Sequence, residues 1–338
     1  MFENILVPLD GSYLAEGVLA HVQTMAAAMA ARVTLLGVSE PPTHTGVNPL
    51  DWHLRLAETE AYLRRLAAPL QVAGLTVATA LREGGAAERI VEYAAAHPST
   101  LIILNTHGRG GASDWNVSHI AQKVLQRGTA SILLVRAGDS PPSGSGQAHY
   151  RRIMLPLDGS RRAECVLPGA TTLAQHQRAR LLLVHVTTPP FLFHRLPPTA
   201  AETNAADWLV DHNRAQAARY FAGLRSRIPT GVQTLLPIAG NVPLALHQLV
   251  AAEAVDLVLL SAHGHSAQSQ WPYGSVVRNF ITHGTASLLI VQDLPQPLHP
   301  RPSADAPRRE TLHRAPRHAV ALPAAPNRSQ GQKEKVTQ

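Results

Sequence analysis

Short apolar runs with no strict alternation punctuate this chain, and between them lie longer segments whose apolar positions recur every three or four residues. A strand that is apolar on both faces belongs in a sheet covered on both sides, and the helical period marks the elements that cover it. In the first part of the chain the pattern predicts strands at 4–9, 33–38, 76–81, 101–105 and 132–135, with helices at 14–30, 51–68, 87–96 and 118–125. A second series follows, with strands at 152–157, 181–186, 233–237, 257–261 and 288–291 and helices at 163–173, 205–225, 243–254 and 274–282. Alternating strands and helices predict an α/β, doubly wound architecture, because right-handed crossovers place helices on both faces of a parallel sheet. Ligands of such sheets sit beyond the carboxyl ends of the strands, where the strand order reverses.

The two series are copies of one another. ILVPLDGS at 5–12 recurs as IMLPLDGS at 153–160, an offset of 148. Residues 104–136 align with 260–292 at an offset of 156, and 11 of the 33 positions are identical, including His107 and His263, Gly108 and Gly264, and the Gly-Thr-Ala-Ser that begins at 128 and at 284. The second copy therefore has a longer middle, and the shared order of motifs predicts two homologous domains. The join contains DSPPSGSGQ, a composition that suits a flexible linker. The predicted organisation is a first domain at 1–137, a linker at 138–150, a second domain at 151–293 and a tail at 294–338.

Composition adds bounds to this picture. An apolar content of 45% supplies a core for both domains. Cys165, the only cysteine, cannot form an internal disulfide and is read as a small buried hydrophobe. The N-terminal MFENILVPLDGS lacks the basic and then apolar signature of a cleaved leader, and no run approaches the roughly 18 apolar residues of a spanning helix, so a soluble, cytoplasmic protein is expected. A net charge of +7 and a pI near 10.1 raise nucleic acid as a partner until the charges are placed. Eight basic and three acidic residues fall in 294–338, so the tail holds +5 and everything before it +2. A folded part so close to neutral argues against a nucleic-acid-binding core, and the Pro, Ala and Arg-rich tail is expected to be disordered.

Two features carry candidate chemistry. Asp10 and Asp158 each end a first strand and precede Gly-Ser, which suits either a turn with a helix cap or a carboxylate that accepts hydrogen bonds from a ribose or base. The loops LNTHGRGGASDWNVSHIA, from 104, and LSAHGHSAQSQWPYGSVV, from 260, both keep His-Gly and then nine residues, but the first ends in Ser118-His119 and the second in Gly274-Ser275. Glycine lets backbone approach a ligand, and the helix N-terminus that follows presents unpaired amides and the positive end of the dipole to phosphate. No GxxxxGK[ST] sequence occurs, nor a GxGxxG after a first strand. The 18 histidines show no H-E-x-x-H spacing, and no nucleophile has an evident adjacent base.

Taken together, a strand ending in Pro-Leu-Asp-Gly-Ser, a fourth strand running into His-Gly, nine residues, Gly-Ser-Val and a last strand of the ILLVR kind resemble the universal stress protein family. The resemblance covers about 1–137 and 151–293, as in a tandem member. It implies two Rossmann-like domains of the adenine nucleotide α-hydrolase kind, each a five-stranded parallel sheet flanked by helices. The ligand it implies is ATP or another adenine nucleotide, with magnesium as an option. The family pattern G-x2-G-x9-G-[ST] falls on Ser261, Gly264, Gly274 and Ser275 in the second copy, where three positions agree. In the first copy it falls on Asn105, Gly108, Ser118 and His119, where one agrees, and His119 is either a plug or, protonated, a phosphate contact. The resemblance adds Pro156, Asp158, Val186 and Val276 in the second copy, and Pro8, Asp10 and Val38 in the first. Arg109 and His265 are either phosphate contacts or exposed loop residues, and His107 and His263 suit orienting the loop better than acid or base work. The implied function is a stress-response regulatory protein that binds nucleotide mainly in its second domain without efficient catalysis. The alternatives are an interaction module without nucleotide and a slow ATPase. Family members pair through their last strands, so 132–135 and 288–291 are expected to meet in an internal pseudo-dimer. A homodimer and further protein partners stay open, with no specific nucleic acid and no membrane.

Overall fold

The computed structural model describes residues 2–41, 48–107, 117–136, 146–190, 198–229, 231–265 and 272–292. The first half runs β1 (Asn4–Leu9), α1 (Tyr13–Glu16), α2 (Leu19–Met29), β2 (Arg32–Ser39), α3 (Pro49–Val72), β3 (Val77–Glu83), α4 (Ala86–Ala96), β4 (Thr100–Asn105), α5 (His119–Arg127) and β5 (Ser131–Val135). The second runs β6 (Arg152–Pro156), a 3-10 turn (Ala163–Val166), α6 (Leu167–Gln177), β7 (Arg180–Val184), α7 (Ala200–Arg225), β8 (Val232–Leu235), α8 (Val242–Ala252), β9 (Leu257–Ser261), α9 (Ser275–His283) and β10 (Ser287–Val291). Among the described residues no helix is long and apolar enough to cross a membrane.

The two five-stranded parallel sheets are joined into one. Its order is β3-β2-β1-β4-β5-β10-β9-β6-β7-β8, parallel within each half and antiparallel only where β5 meets β10. Leu133 lies opposite Leu289, its own counterpart in the repeat, so a pseudo-twofold axis passes through that pair. Flanking it, the Gln292 N–H donates to Ser131 Oγ at 3.0 Å and the Arg136 N–H donates to Ser287 Oγ at 3.3 Å. The strand order reverses between β1 and β4 and again between β6 and β9, which fixes where each half opens a crevice.

Alternation along the strands divides the core between the faces. Ile5, Val7, Ile103, Leu133, Leu155 and Leu289 pack on one side with α2, α3, α6 and α7, while Leu6, Ile102, Leu134, Met154, Leu260 and Ile290 pack on the other with α4, α5, α8 and α9. Both cores cross the seam between halves. On the first face α2 packs on α6, and the Thr24 hydroxyl donates to Ala148 O at 2.7 Å. Cys165 is half-buried against this core.

Most element bounds lie within a residue or two of the pattern, and the departures have local causes. The helix predicted at 14–30 is two, because the Gly17 N–H turns back to Leu14 and Ala15 carbonyls and ends α1. Helix α3 starts at Pro49 behind an Asn48 cap and runs through Pro69 to Val72. Helix α7 starts at Ala200, behind a capping box of Thr199 and Glu202 that fixes its first turn. Strand β7 stops at Val184, and His185 turns its ring back to Leu157 O. Strand β8 stops at Leu235, two residues before Pro237, which has no N–H for a ladder. Residues 138–145 of the predicted linker and the whole of the predicted tail lie outside the described residues.

Candidate functional site

The second-half crevice begins at the end of β6. Gly159 takes a left-handed conformation (φ 82°), which lets the chain reverse so that the Ser160 N–H donates to Asp158 Oδ1 at 2.9 Å. The Ser160 hydroxyl in turn accepts from the Ala163 N–H at 3.1 Å. The serine thus caps the next helical turn and the aspartate closes the bend. The other oxygen of Asp158, Oδ2, accepts from the His265 N–H at 2.6 Å, tying β6 to the loop that follows β9. Burial raises the pKa of this carboxyl, but hydrogen bonds from Ser160 and His265 outweigh that and hold it below the ordinary carboxylate value.

The same contact explains Gly264. A Cβ there would overlap the Asp158 carboxylate, so the glycine is demanded by the close pass of loop over strand end. Gly274 is different. Its φ of −65° suits any residue, and a Cβ would meet only ordinary contacts, the nearest 3.6 Å away at Ala262 O. Its N–H donates to Ala262 O at 2.8 Å, which closes the neck of the loop. Among the described residues no side chain caps α9, whose first turn opens beside Gly264.

These elements surround a cavity of about 660 Å3. The second-half residues expected to contact a ligand all line it: Pro156, Asp158, Val186, Ser261, Gly264, His265, Gly274, Ser275 and Val276. Ser261 does so with its hydroxyl committed elsewhere, donating to His263 O within the loop. His263 itself is buried, 5% exposed, and its N–H donates to Ser261 Oγ at 3.3 Å. One wall is apolar, made by Val184, Val186, Val242, Leu246, Leu260 and Val277. The sequence reading missed His185, Gly240 and Asn241. His185 Nδ1 sits 2.9 Å from Leu157 O, and because a carbonyl only accepts, Nδ1 carries the proton and Nε2 of the neutral ring is left as an acceptor. Asn241 caps α8 by accepting from the Leu244 N–H at 3.0 Å. Comparing the copies flags His185, whose counterpart at the offset of 148 is Gly37.

The first half has the same plan and a different interior. Its cavity, about 360 Å3, is lined by Pro8, Asp10, Val38, Asn105 and Ser118 of the predicted set, together with Glu40 and His107. His119 opens α5 but is not part of that lining, and Gly108 and Arg109 lie outside the described residues. The Asp10 turn repeats that of Asp158, with the Ser12 N–H donating to Oδ1 at 2.9 Å and Gly11 at φ 77°. The neck also repeats, with the Ser118 N–H on Thr106 O at 2.6 Å. Ser118 then accepts from the Ala121 N–H through its own hydroxyl at 3.1 Å and so caps α5. Asn105 reaches across the floor, donating to Leu14 O at 2.6 Å and accepting from the His107 N–H at 3.1 Å. Glu40 accepts from the Ala86 N–H at 3.0 Å, which brings a second carboxylate to the rim beside Asp10.

Comparison with known proteins fits this geometry. A model of the universal stress protein family matches residues 1–136 and 149–292. A putative universal stress protein from Staphylococcus saprophyticus is 24% identical over 162 residues, covering 46% of this chain and 93% of that protein. The fold is similar to the crystal structure of a universal stress protein from Archaeoglobus fulgidus DSM 4304, with a TM-score of 0.57 at 14% identity over 86% of this chain and 96% of that one. It is also similar to a putative universal stress protein from Pseudomonas aeruginosa UCBPP-PA14, with a TM-score of 0.62 at 14% identity over 86% of this chain and 93% of that one. Identities this low speak for the fold alone, but the family model spans both copies of the repeat. The chain belongs to the universal stress protein family, as a tandem two-domain member.

Proposed function

We propose that the protein is a stress-response regulator that binds an adenine nucleotide in its second-half cavity and does not catalyse efficiently. The observation that carries this reading is the contrast between two equivalent helices: α5 is capped by its own Ser118, whereas α9 begins at Gly274, has no side-chain cap among the described residues and opens into the larger cavity. An uncapped N-terminus holds unpaired amides and the positive end of the dipole, and a phosphate is the ligand group that satisfies both. Gly274 fits the same role, because neither its backbone angles nor its protein neighbours require glycine. The apolar wall of Val184, Val186 and Leu246 suits a flat base, and Asp158 and His185 Nε2 offer acceptors to hydroxyl or amino groups. Among the described residues no group of three or more His, Cys, Asp or Glu is placed to hold a metal ion, so magnesium in this reading rides on the nucleotide's own phosphates.

The first half supports a non-nucleotide role. Its helix cap is already satisfied, its cavity is smaller, and two carboxylates border it. Titration of the whole chain with ATP, ADP, AMP and cyclic AMP tests the reading. One site per chain is expected, with affinity rising from AMP to ATP as phosphates are added. No binding of any of them at millimolar concentration overturns it.

A further inference from the structure

The helix that opens into the second-half cavity is held at its other end by the first half. Arg136, the residue after β5, is buried at 6% exposure, and its Nη2 donates to Phe280 O at 2.7 Å and to Ile281 O at 2.9 Å. Both carbonyls belong to the last turn of α9: that of Phe280 also accepts from the Gly284 N–H at 2.9 Å, while that of Ile281 is among the last four, which have no donor within the helix. Gly284, just past that turn, keeps the approach open: a Cβ there would lie 3.2 Å from Nη2 and press on the Phe280 carbonyl. The pseudo-twofold supplies the control. Gln292 occupies the position related to Arg136 by the offset of 156 and makes the matching backbone bond to Ser131, but its side chain is an uncharged amide. The cationic clamp is therefore built in one direction only, from the first half onto the helix of the larger cavity.

We propose that Arg136 is a positioning residue for the second-half site, acting through α9. The proposal rests on reading that cavity as a nucleotide site. At 1.5 Å per residue the nine residues of α9 span about 13 Å, so fixing its last turn fixes where its first-turn amides stand. A buried cation at the C-terminus also complements the helix dipole whose positive end faces the cavity. The first half thereby contributes to a ligand site that it does not line. It braces while the other half binds.

The test uses the full chain, with ATP as the probe, and follows both affinity and amide hydrogen exchange at residues 275–278. Arg136→Gln is expected to weaken ATP about three- to thirtyfold and to speed exchange of those amides. Arg136→Lys, which keeps the charge but not the planar fork, falls in between, and Gln292→Arg leaves ATP affinity unchanged. If Arg136→Gln does not fold, Arg136→Lys decides. ATP affinity equal to wild type in both Arg136 variants overturns the proposal, whatever their melting temperatures. If the wild-type chain binds no ATP, the nucleotide reading fails on its own, and unchanged exchange in the Arg136 variants then overturns the bracing as well.

Discussion

At the scale of single residues, Asp158 shows how one side chain serves structure and site together. Its two oxygens accept backbone N–H groups from Ser160 and His265, and those bonds hold its pKa below the ordinary value despite partial burial. A carboxyl with a depressed folded-state pKa contributes stability in full above its unfolded value of about 3.9, and loses it as the pH falls through the folded value. Asp158→Asn is therefore expected to cost about 1–2 kcal/mol at pH 7, discounted for solvent exposure. The deficit should shrink as the pH drops below about 4, because the unfolded chain then takes up a proton at Asp158 that the folded chain, with its lowered pKa, still refuses. Denaturant unfolding of both proteins from pH 7 to pH 3 checks this, and a constant gap would remove the carboxylate from the account. Asp158 and Gly264 were legible in sequence because they lie in repeated motifs. His185 is marked only by setting the copies side by side, where it replaces Gly37, and Asn241 is not marked at all, because a helix cap imposes no spacing that distinguishes a ligand-facing side chain from a solvated one.

At the scale of elements, apolar runs placed the strands well, since a buried parallel strand must be apolar along its whole length and admits little ambiguity. Helix bounds were less legible. The first part of α7 is largely exposed, so no apolar period announces residues 200–204, and only the capping box at Thr199 and Glu202 marks the start. In the proposed reading, the N-terminal ends of α5 and α9 distinguish the halves, with Ser118 at one and Gly274 at the other. Gly274→Ser gives α9 the hydroxyl that α5 has in Ser118, so the new side chain can take the Val277 N–H as Ser118 takes that of Ala121. The expected result has opposite signs in two measurements. Thermal stability without ligand rises by a few tenths of a kcal/mol, because serine is a better cap than glycine. ATP affinity falls about tenfold, because the cap competes with phosphate for the same amide. Calorimetry of the variant with and without ATP reads both, and undiminished affinity would show that the α9 terminus is not where phosphate sits.

At the scale of the whole molecule, the tandem arrangement answers a problem that each half has alone. Strand β10 is buried along its entire length, and its outer edge is paired only because β5 lies against it. Without the first half that edge would present unpaired backbone groups on a row of apolar side chains, an invitation to add a strand. The register shows what would fill it: Leu289 faces its own counterpart, Leu133, so a second copy of the same half can replace the first and set Leu289 against Leu289. An excised second half, residues 149–292, is therefore expected to form a dimer by sedimentation equilibrium. Leu289→Lys in that fragment places two buried ammonium groups opposite each other at the axis and should leave it monomeric or insoluble. Such a dimer would differ from the full chain in one respect that matters for the site. Gln292 would stand where Arg136 now clamps α9, so the fragment dimer should bind ATP more weakly than the full chain even with its own cavity intact. A fragment that stays monomeric at micromolar concentration would mean that the strand edge alone does not drive assembly. In that case the linking of two copies in one chain, by raising their effective concentration, holds the seam closed.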